Sequence, residues 1–526
     1  MWLAANPRHN PREMMSRTTF FPRLISMTAS RPKRHSLFNR APLPTHPASL
    51  SGTGRAKGDF PAFMGMISSI ALALSTSATA GQDAPVVTDS GENHGLISIL
   101  DVAPASYYGF KRMPKYYSDP NMDAKTVDGS LLERQYLLGS FGGVRTRMAE
   151  NGLIVGGGVT QVYQNNISGD GDNSAYAGSA DLWLALDTGR KGWWSGGLIV
   201  SHVEGNWGNS LDGTGALLPG NADATMPGTL SSFALSELYL VQALPNEFTA
   251  IIGKVDWAGT ADTSLFANNE RFQFLNEGLI NNAVLGAFVP YTSMGGALAK
   301  QLTPELSASL VAFSSDSEAT RSGFDTFGLD AFTYAFTMGW TPTFGKLPGN
   351  YNFIIGASSK DVAAYDVDSQ YLIEEIGGLA PIEQKDGNYA FTISGSQYLW
   401  VDDVVNRRDG RPAGIGPFFR FGIGPDDRNL IDQFYSLGVG GTIGPFGRVN
   451  DSWGIGWAGT HISSEFRRDA GLLGINVNDM EQAFEAYYSF VLTPAITASA
   501  HIQYVDPANR SADSLTVVAA RLQIDL

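Results

Sequence analysis

The sequence predicts an all-β fold: a closed transmembrane barrel of about sixteen antiparallel strands, or eighteen as the alternative count, with short turns on one rim and long loops on the other. Three observations predict it. Segment after segment alternates between large apolar and small or polar residues with a period of two, which marks strands with two unlike faces. Beyond one short N-terminal run, no stretch is apolar over the roughly 20 residues that a membrane-spanning helix needs, so a chain of this kind crosses a bilayer only as a closed barrel. Finally, 60 Gly and an 11% aromatic share among 526 residues suit many strands with tight turns and ring-bearing boundaries.

Taken in order, residues 1–60 carry ten Lys and Arg against Glu13 and Asp59 and show no periodicity. They are expected to be a non-structured basic segment upstream of the true start. Residues 61–80 follow Arg55 and Lys57, are apolar to about Leu74 and end Ala78-Thr79-Ala80, which is the form of a signal peptide cut before Gly81. Residues 81–130 are expected to be an N-terminal extension, and 131–526 the barrel. With the basic segment set aside, the remainder carries a net charge of about −23, which disfavours phosphate backbones and excludes nucleic acid as a partner. The absence of Cys removes thiolate nucleophiles, disulfides and thiolate zinc sites.

The strands begin with LIVGGGVTQVYQ, where Leu153, Val155, Val159 and Tyr163 share a face. In the next, Leu182, Leu184 and Leu186 oppose Asp181, Trp183 and Asp187. In AFTYAFTMGW, Phe332, Tyr334, Phe336, Met338 and Trp340 oppose Thr333, Ala335, Thr337 and Gly339. FTISGSQYL repeats the pattern around Phe391 and Ile393, and in GPFFRFGI Phe419 and Phe421 oppose Arg420. Periodicity alone does not separate a soluble sandwich from a barrel with its oily face to lipid. Strand length of about 8–12 residues, the signal peptide and aromatics at strand ends decide for the barrel. The end aromatics are Tyr163, Trp193 with Trp194, Trp340 with Tyr351, and Tyr487 with Tyr488.

Short connections at 149–152, 187–192, 244–247, 302–305 and 492–495, with others near Gly345, Arg408 and Phe446, alternate with long ones. Eight short turns imply sixteen strands. The chain closes on SLTVVAARLQIDL, with Val518, Ala520, Leu522, Ile524 and Leu526 on one face and Arg521, Gln523 and Asp525 on the other.

These segments resemble the carbohydrate-selective porins, the OprB-type family. The resemblance runs through GSFGGVRTRMAENGLIVGGGVTQVYQNN, YAGSADLWLALDTGRKGWWSGGLIVSHVEGNWGNS, IIGKVDWAG with FANNERFQFLN, GPFFRFGIGPDDRN and EAYYSFVLTPAITASAHIQYVDP, across residues 131–526. No one motif is specific, but their order and spacing are. The resemblance implies a sixteen-stranded porin in the outer membrane of a Gram-negative bacterium, carrying monosaccharides or small oligosaccharides. It is expected to work by passive diffusion, as a homotrimer or a monomer in outer-membrane lipid.

A sugar passage needs aromatic faces for ring C–H surfaces and charged or amide groups for hydroxyls. Alternation puts Arg145, Arg147, Asp181, Trp183 and Arg420 on the polar face. Lys254, Asp256 and Trp257 stand at a strand end beside the long 259–291 segment, which is expected to fold inward. Arg145, Arg147 and Arg420 are the expected donors, with Asp181 and Asp256 as acceptors. The competing reading makes all of them wall residues in mutual ion pairs that never touch solute. His202, His461 and His501 lie on separate strands, so neither a metal centre nor a Ser-His-Asp arrangement is expected, nor any cofactor. The Gly-rich GGGVT lacks the Lys of a phosphate loop, and GDGDNS only partly matches a calcium loop. The chain is therefore not expected to be an enzyme. Its rivals are a general or ion-selective porin, a polysaccharide export channel and, more remotely, a secreted glycan-binding β-protein.

Overall fold

The computed structural model describes residues 127–526, apart from 229–230, 258, 260–262, 288, 326, 328–330, 377–379 and 408–410. The basic segment 1–60, the signal peptide 61–80 and all of 81–130 except its last four residues lie outside the described residues.

Sixteen principal strands form one antiparallel sheet. They are β1 (Leu153–Ser168), β2 (Ser174–Asp187), β3 (Gly197–Gly208), β4 (Phe233–Leu244), β5 (Phe248–Val255), β6 (Ser293–Thr303), β7 (Leu306–Ser314) and β8 (Phe332–Trp340). Then come β9 (Leu347–Ser358), β10 (Asn388–Gln397), β11 (Pro412–Ile423), β12 (Ile431–Gly441), β13 (Ser452–Ile462), β14 (Met480–Thr493), β15 (Ile496–Asp506) and β16 (Leu515–Asp525). Each pairs with its neighbours in sequence, and β1 also pairs with β16, from Gly158↔Asp525 to Ser168↔Thr516. The last pairing closes the ring, so no row of backbone N–H and C=O groups is left as an open edge. Two short strands, Thr343–Phe344 and Trp400–Asn406, extend the β8–β9 and β10–β11 hairpins at the rim. Among the described residues no helix is long and apolar enough to cross a membrane.

The rims differ as expected. One carries the tight turns at 245–247, 304–305 and 494–495 and both ends of the ring, while the other carries the long connections 209–232, 256–292, 315–331 and 359–387. The connection 169–173, on the same rim, is short, because β1 and β2 continue their ladder to Asn165↔Ser174.

Register fixes which face is which. On β1–β4 the inward side chains include Ile154, Thr160, Asp181, Trp183, Val200 and His202, all buried, and the outward ones include the exposed Tyr163, Leu182 and Leu238. Trp193 and Trp194 are exposed on the short-turn rim, where Trp340 also packs with Phe344 and Tyr351. Tyr487 departs from the expected boundary role. It points inward, is buried, and meets Phe274 edge-on at 4.8 Å.

Two apolar clusters lie inside the ring. In one, Phe266, Phe274, Leu279, Val284 and Leu285 of the 256–292 connection pack on Phe418, Phe434, Ala458 and Tyr487 of the wall. The wall makes room with glycines: a Cβ on Gly440 would lie 2.6 Å from Phe266, and one on Gly454 2.7 Å from Phe274. In the other, Tyr136 and Ala149 pack on Ile154, Ala185, Leu198, Val200 and Tyr239 at the short-turn end of β1–β4.

Residues 139–150 are not extended. Gly139, Phe141, Gly142 and Gly143 have φ between 53° and 80°, in the left-handed region, so the chain turns there and enters helix α1 (Val144–Glu150). Arg145 and Arg147 therefore sit on a helix, where the period-two reading had put them on a strand.

Candidate functional site

The expected inward folding of the 259–291 segment is what the structure has, and the geometry shows what holds it. Two wall arginines clasp it through its backbone. Arg420 on β11 donates to the carbonyls of Leu279 and Ala267, the former at 3.2 Å. Arg521 on β16 donates to those of Glu270 at 2.6 Å and Gln273 at 2.8 Å. A carboxylate works from the other side: Glu485 on β14 accepts from the amides of Leu275 at 2.9 Å and Asn276 at 2.8 Å. Glu485 is itself held by His501 Nδ1 at 2.8 Å and Gln503 at 3.1 Å. Charge-assisted bonds to main-chain groups grip a loop whatever its side chains are, and are stronger than neutral ones.

The 209–232 connection is pinned by the same device. Glu481 accepts from the amides of Leu217 at 2.6 Å and Leu218 at 2.9 Å. The two connections join where the Ala222 amide meets the Leu275 carbonyl at 2.9 Å.

On β2–β4, separated from β16 by β1 alone, carboxylates gather around one imidazole. Asp181 Oδ1 lies 2.8 Å from His202 Nε2, Glu204 3.9 Å from the same nitrogen, and Glu237 3.4 Å from Nδ1. Trp183 stacks on the ring with centroids 3.4 Å apart. Arg271 of the inner loop reaches in, donating to Asp181 at 2.7 Å and pairing with Asp223 at 3.5 Å. One ligand atom each from Asp181, His202 and Glu204 fall within 4.8 Å of one another, the arrangement a metal ion would use. Here the guanidinium of Arg271 already serves Asp181.

On the long-loop rim Lys385 bridges Asp366 and Asp427 at 2.5 Å each, tying the 359–387 loop to the turn after β11. Burial alone would raise the Asp427 pKa, but Arg428 and Lys385 outweigh it and hold it below the ordinary aspartate value.

The residues singled out from sequence are dispersed. Arg145 is buried, donates to the Leu526 carbonyl at 2.7 Å and that of Gly139 at 3.1 Å, and lies over the Tyr136 ring. Arg147 is exposed on the same helix. Asp181 and Trp183 belong to the imidazole cluster. Lys254 spends all three N–H groups on the carbonyls of Leu235, Ala319 and Arg321, at 2.9, 2.6 and 2.6 Å. Asp256 accepts from the Gly259 amide at 2.8 Å, and Trp257 donates to the Ser293 carbonyl at 3.0 Å while stacking on Phe313. Arg420 clasps the inner loop.

Sequence reading missed Arg271, Glu481 and Glu485 as site residues and placed Arg521 only on the polar face of its strand. Alternation does mark Glu481, Glu485 and Arg521 as inward, but only the fold shows which loop they meet. Arg271 sits in aperiodic sequence and carries no signal of its own.

Residues 172–526 match the family described as carbohydrate-selective porin, OprB family. The high-pH structure of Pseudomonas putida OprB is similar to this chain at a TM-score of 0.66 and 18% identity, covering 74% of this chain and 98% of that one. The low-pH structure of the same protein gives 0.48 and 15% over 74% and 98%. The outer membrane channel DcaP of Acinetobacter baumannii gives 0.42 and 10% over 71% and 97%. No curated protein matches the chain.

Proposed function

We propose, from the premise that this chain belongs to the carbohydrate-selective porin family OprB, that it lets small neutral sugars diffuse passively across the bacterial outer membrane through a lumen narrowed by its own inner loop. The family consists of channels, not enzymes. The observation that carries the mechanism is the 256–292 connection, held inside a closed ring by Arg420, Arg521 and Glu485. A loop fixed through its backbone leaves a passage of set width without any input of energy.

The oily outward faces, with exposed Leu182, Leu238, Ile252 and Leu298, are the surface we assign to lipid in a Gram-negative cell. Of the residues chosen from sequence, Arg145, Lys254, Trp257 and Arg420 serve the passage by positioning loops. Asp181 and Trp183 set the field and shape of the β2–β4 wall. We also propose that 1–60 is absent from the working protein, that 61–80 is a cleaved signal and that 81–130 extends into the periplasm.

Single-channel current through the refolded chain, residues 81–526, in a planar bilayer with added glucose or maltose tests the reading. Current that falls saturably with sugar is the expected result. Pores indifferent to sugar would leave a general channel, and folded protein that makes no pores would sink the porin reading.

A further inference from the structure

The inward-facing residues of this barrel are not equally covered. On β11–β16 the inward Arg420, Ser436, Thr460, Glu485, Gln503 and Arg521 are all buried beneath the two folded connections. On β1–β3 the inward row is buried as well. On β7 and β8 it is not: Ser307, Ser309 and Val311, with Ala335 and Thr337 opposite them, are only half-buried. Their direction is secure. They share a face with Phe313, which stacks on the buried Trp257, and Ala335 touches the inner-loop cluster. The neighbouring Leu298 and Ile252 are exposed on the other face.

We propose that the open passage runs along this strip, against the inward faces of β6–β8, and that Ser309 and Thr337 are its recognition groups for neutral polyols. The inference rests on the porin reading and names the part of the lumen that the solute uses. Three features support it. The strip is made of small side chains, so the wall recedes where it is uncovered. Its hydroxyls lie together, Ser309 Oγ 2.5 Å from Thr337 Oγ1, and such a pair both donates and accepts, as a sugar hydroxyl stripped of water requires. Among the described residues no charged side chain points inward from β6, β7 or β8. The carboxylates and guanidinia of the lumen stand instead on β2–β4 and β11–β16, where they hold loops. A charge-free strip gives no fixed charge to replace the hydration of an ion, while the methyls of Val311, Ala335 and Thr337 suit the C–H face of a sugar ring.

The chain has no cysteine, so single thiols report position without a background. Ser309→Cys and Thr337→Cys are placed on the strip, with Ser436→Cys and Thr460→Cys on the covered wall as controls. Each is reacted in a planar bilayer with a cationic and then an anionic methanethiosulfonate reagent. Modification at 309 or 337 is expected to cut the single-channel current by roughly half or more, and glucose to slow the reaction, with no change at 436 or 460. Block at 436 or 460 with none at 309 and 337 would overturn the placement while leaving the porin reading intact. Loss of sugar-sensitive current from the unmodified chain would count against the porin reading itself. Ser309→Asp, a second check, is expected to shift the reversal potential in a salt gradient toward cation preference, and an unchanged potential would overturn the assignment.

Discussion

At the scale of single residues, this lumen is organised by charged side chains that bind backbone. Arg521 on β16 and Glu485 on β14, with β15 between them, approach the inner loop together and take two of its carbonyls and two of its amides within 2.6–2.9 Å. Removing either leaves polar groups of the other side buried without their partner, at a cost of about 1–3 kcal/mol per orphaned group. Arg521→Met and Glu485→Ala are therefore expected to release the loop from the wall. The check is single-channel conductance with limited proteolysis in detergent: larger, noisier current and new cleavage within 263–287 are expected, and wild-type current with a protected loop would show the clasp to be dispensable. Arg420→Lys is a milder case, since a single ammonium does not reproduce two directed N–H bonds to Leu279 and Ala267.

At the scale of elements, residues 127–150 form a partial plug. Val127, Tyr136 and Ala149 fill the short-turn end of the lumen beside β1–β4. The Leu137 amide is bonded to the Asp525 carbonyl at 2.8 Å, and Arg145 to that of Leu526 at 2.7 Å. The plug thus hangs on the last residues of the strand that closes the ring. Tyr136→Ala combined with Arg145→Met removes its largest apolar side chain and one of its two tethers, and the Tyr truncation alone is worth about 3 kcal/mol by analogy with other buried aromatics. Conductance is expected to rise with the β-sheet circular dichroism unchanged. Unaltered conductance in a folded double variant would mean that the plug does not bound the passage. The element also shows where alternation misleads: GSFGGVRTR reads as strand by its polar residues, but left-handed backbone at four of the five residues Gly139–Gly143 forbids one.

At the scale of the whole molecule, closure of the ring between β1 and β16 depends on the last strand being intact. Intact mass of protein extracted from outer membranes is expected to begin at Gly81. A mass retaining residues 61–80 would refute the cleavage assigned to Ala80, and one beginning within 1–60 would refute the upstream start. The strand count was legible because seven of the eight short turns read from sequence lie between neighbouring strands; the eighth, 149–152, instead joins helix α1 to β1, and the pairing of β1 with β16 completes the ring. The inward set was legible too: Asp181, Trp183, Arg420 and Arg521 all lie on the face that alternation assigns them.

The sequence by itself determined the architecture, because a period of two, turn chemistry and the bilayer's demand for satisfied backbone groups act locally and leave a written trace. Only the tertiary structure decided which inward residues meet loops and which remain open. Arg420 and Ser309 are both inward on their strands, yet one is sealed under the inner loop while the other is only half-buried. That difference depends on where an aperiodic loop comes to rest, through contacts between residues more than a hundred positions apart such as Arg521 with Glu270, and no local pattern encodes it.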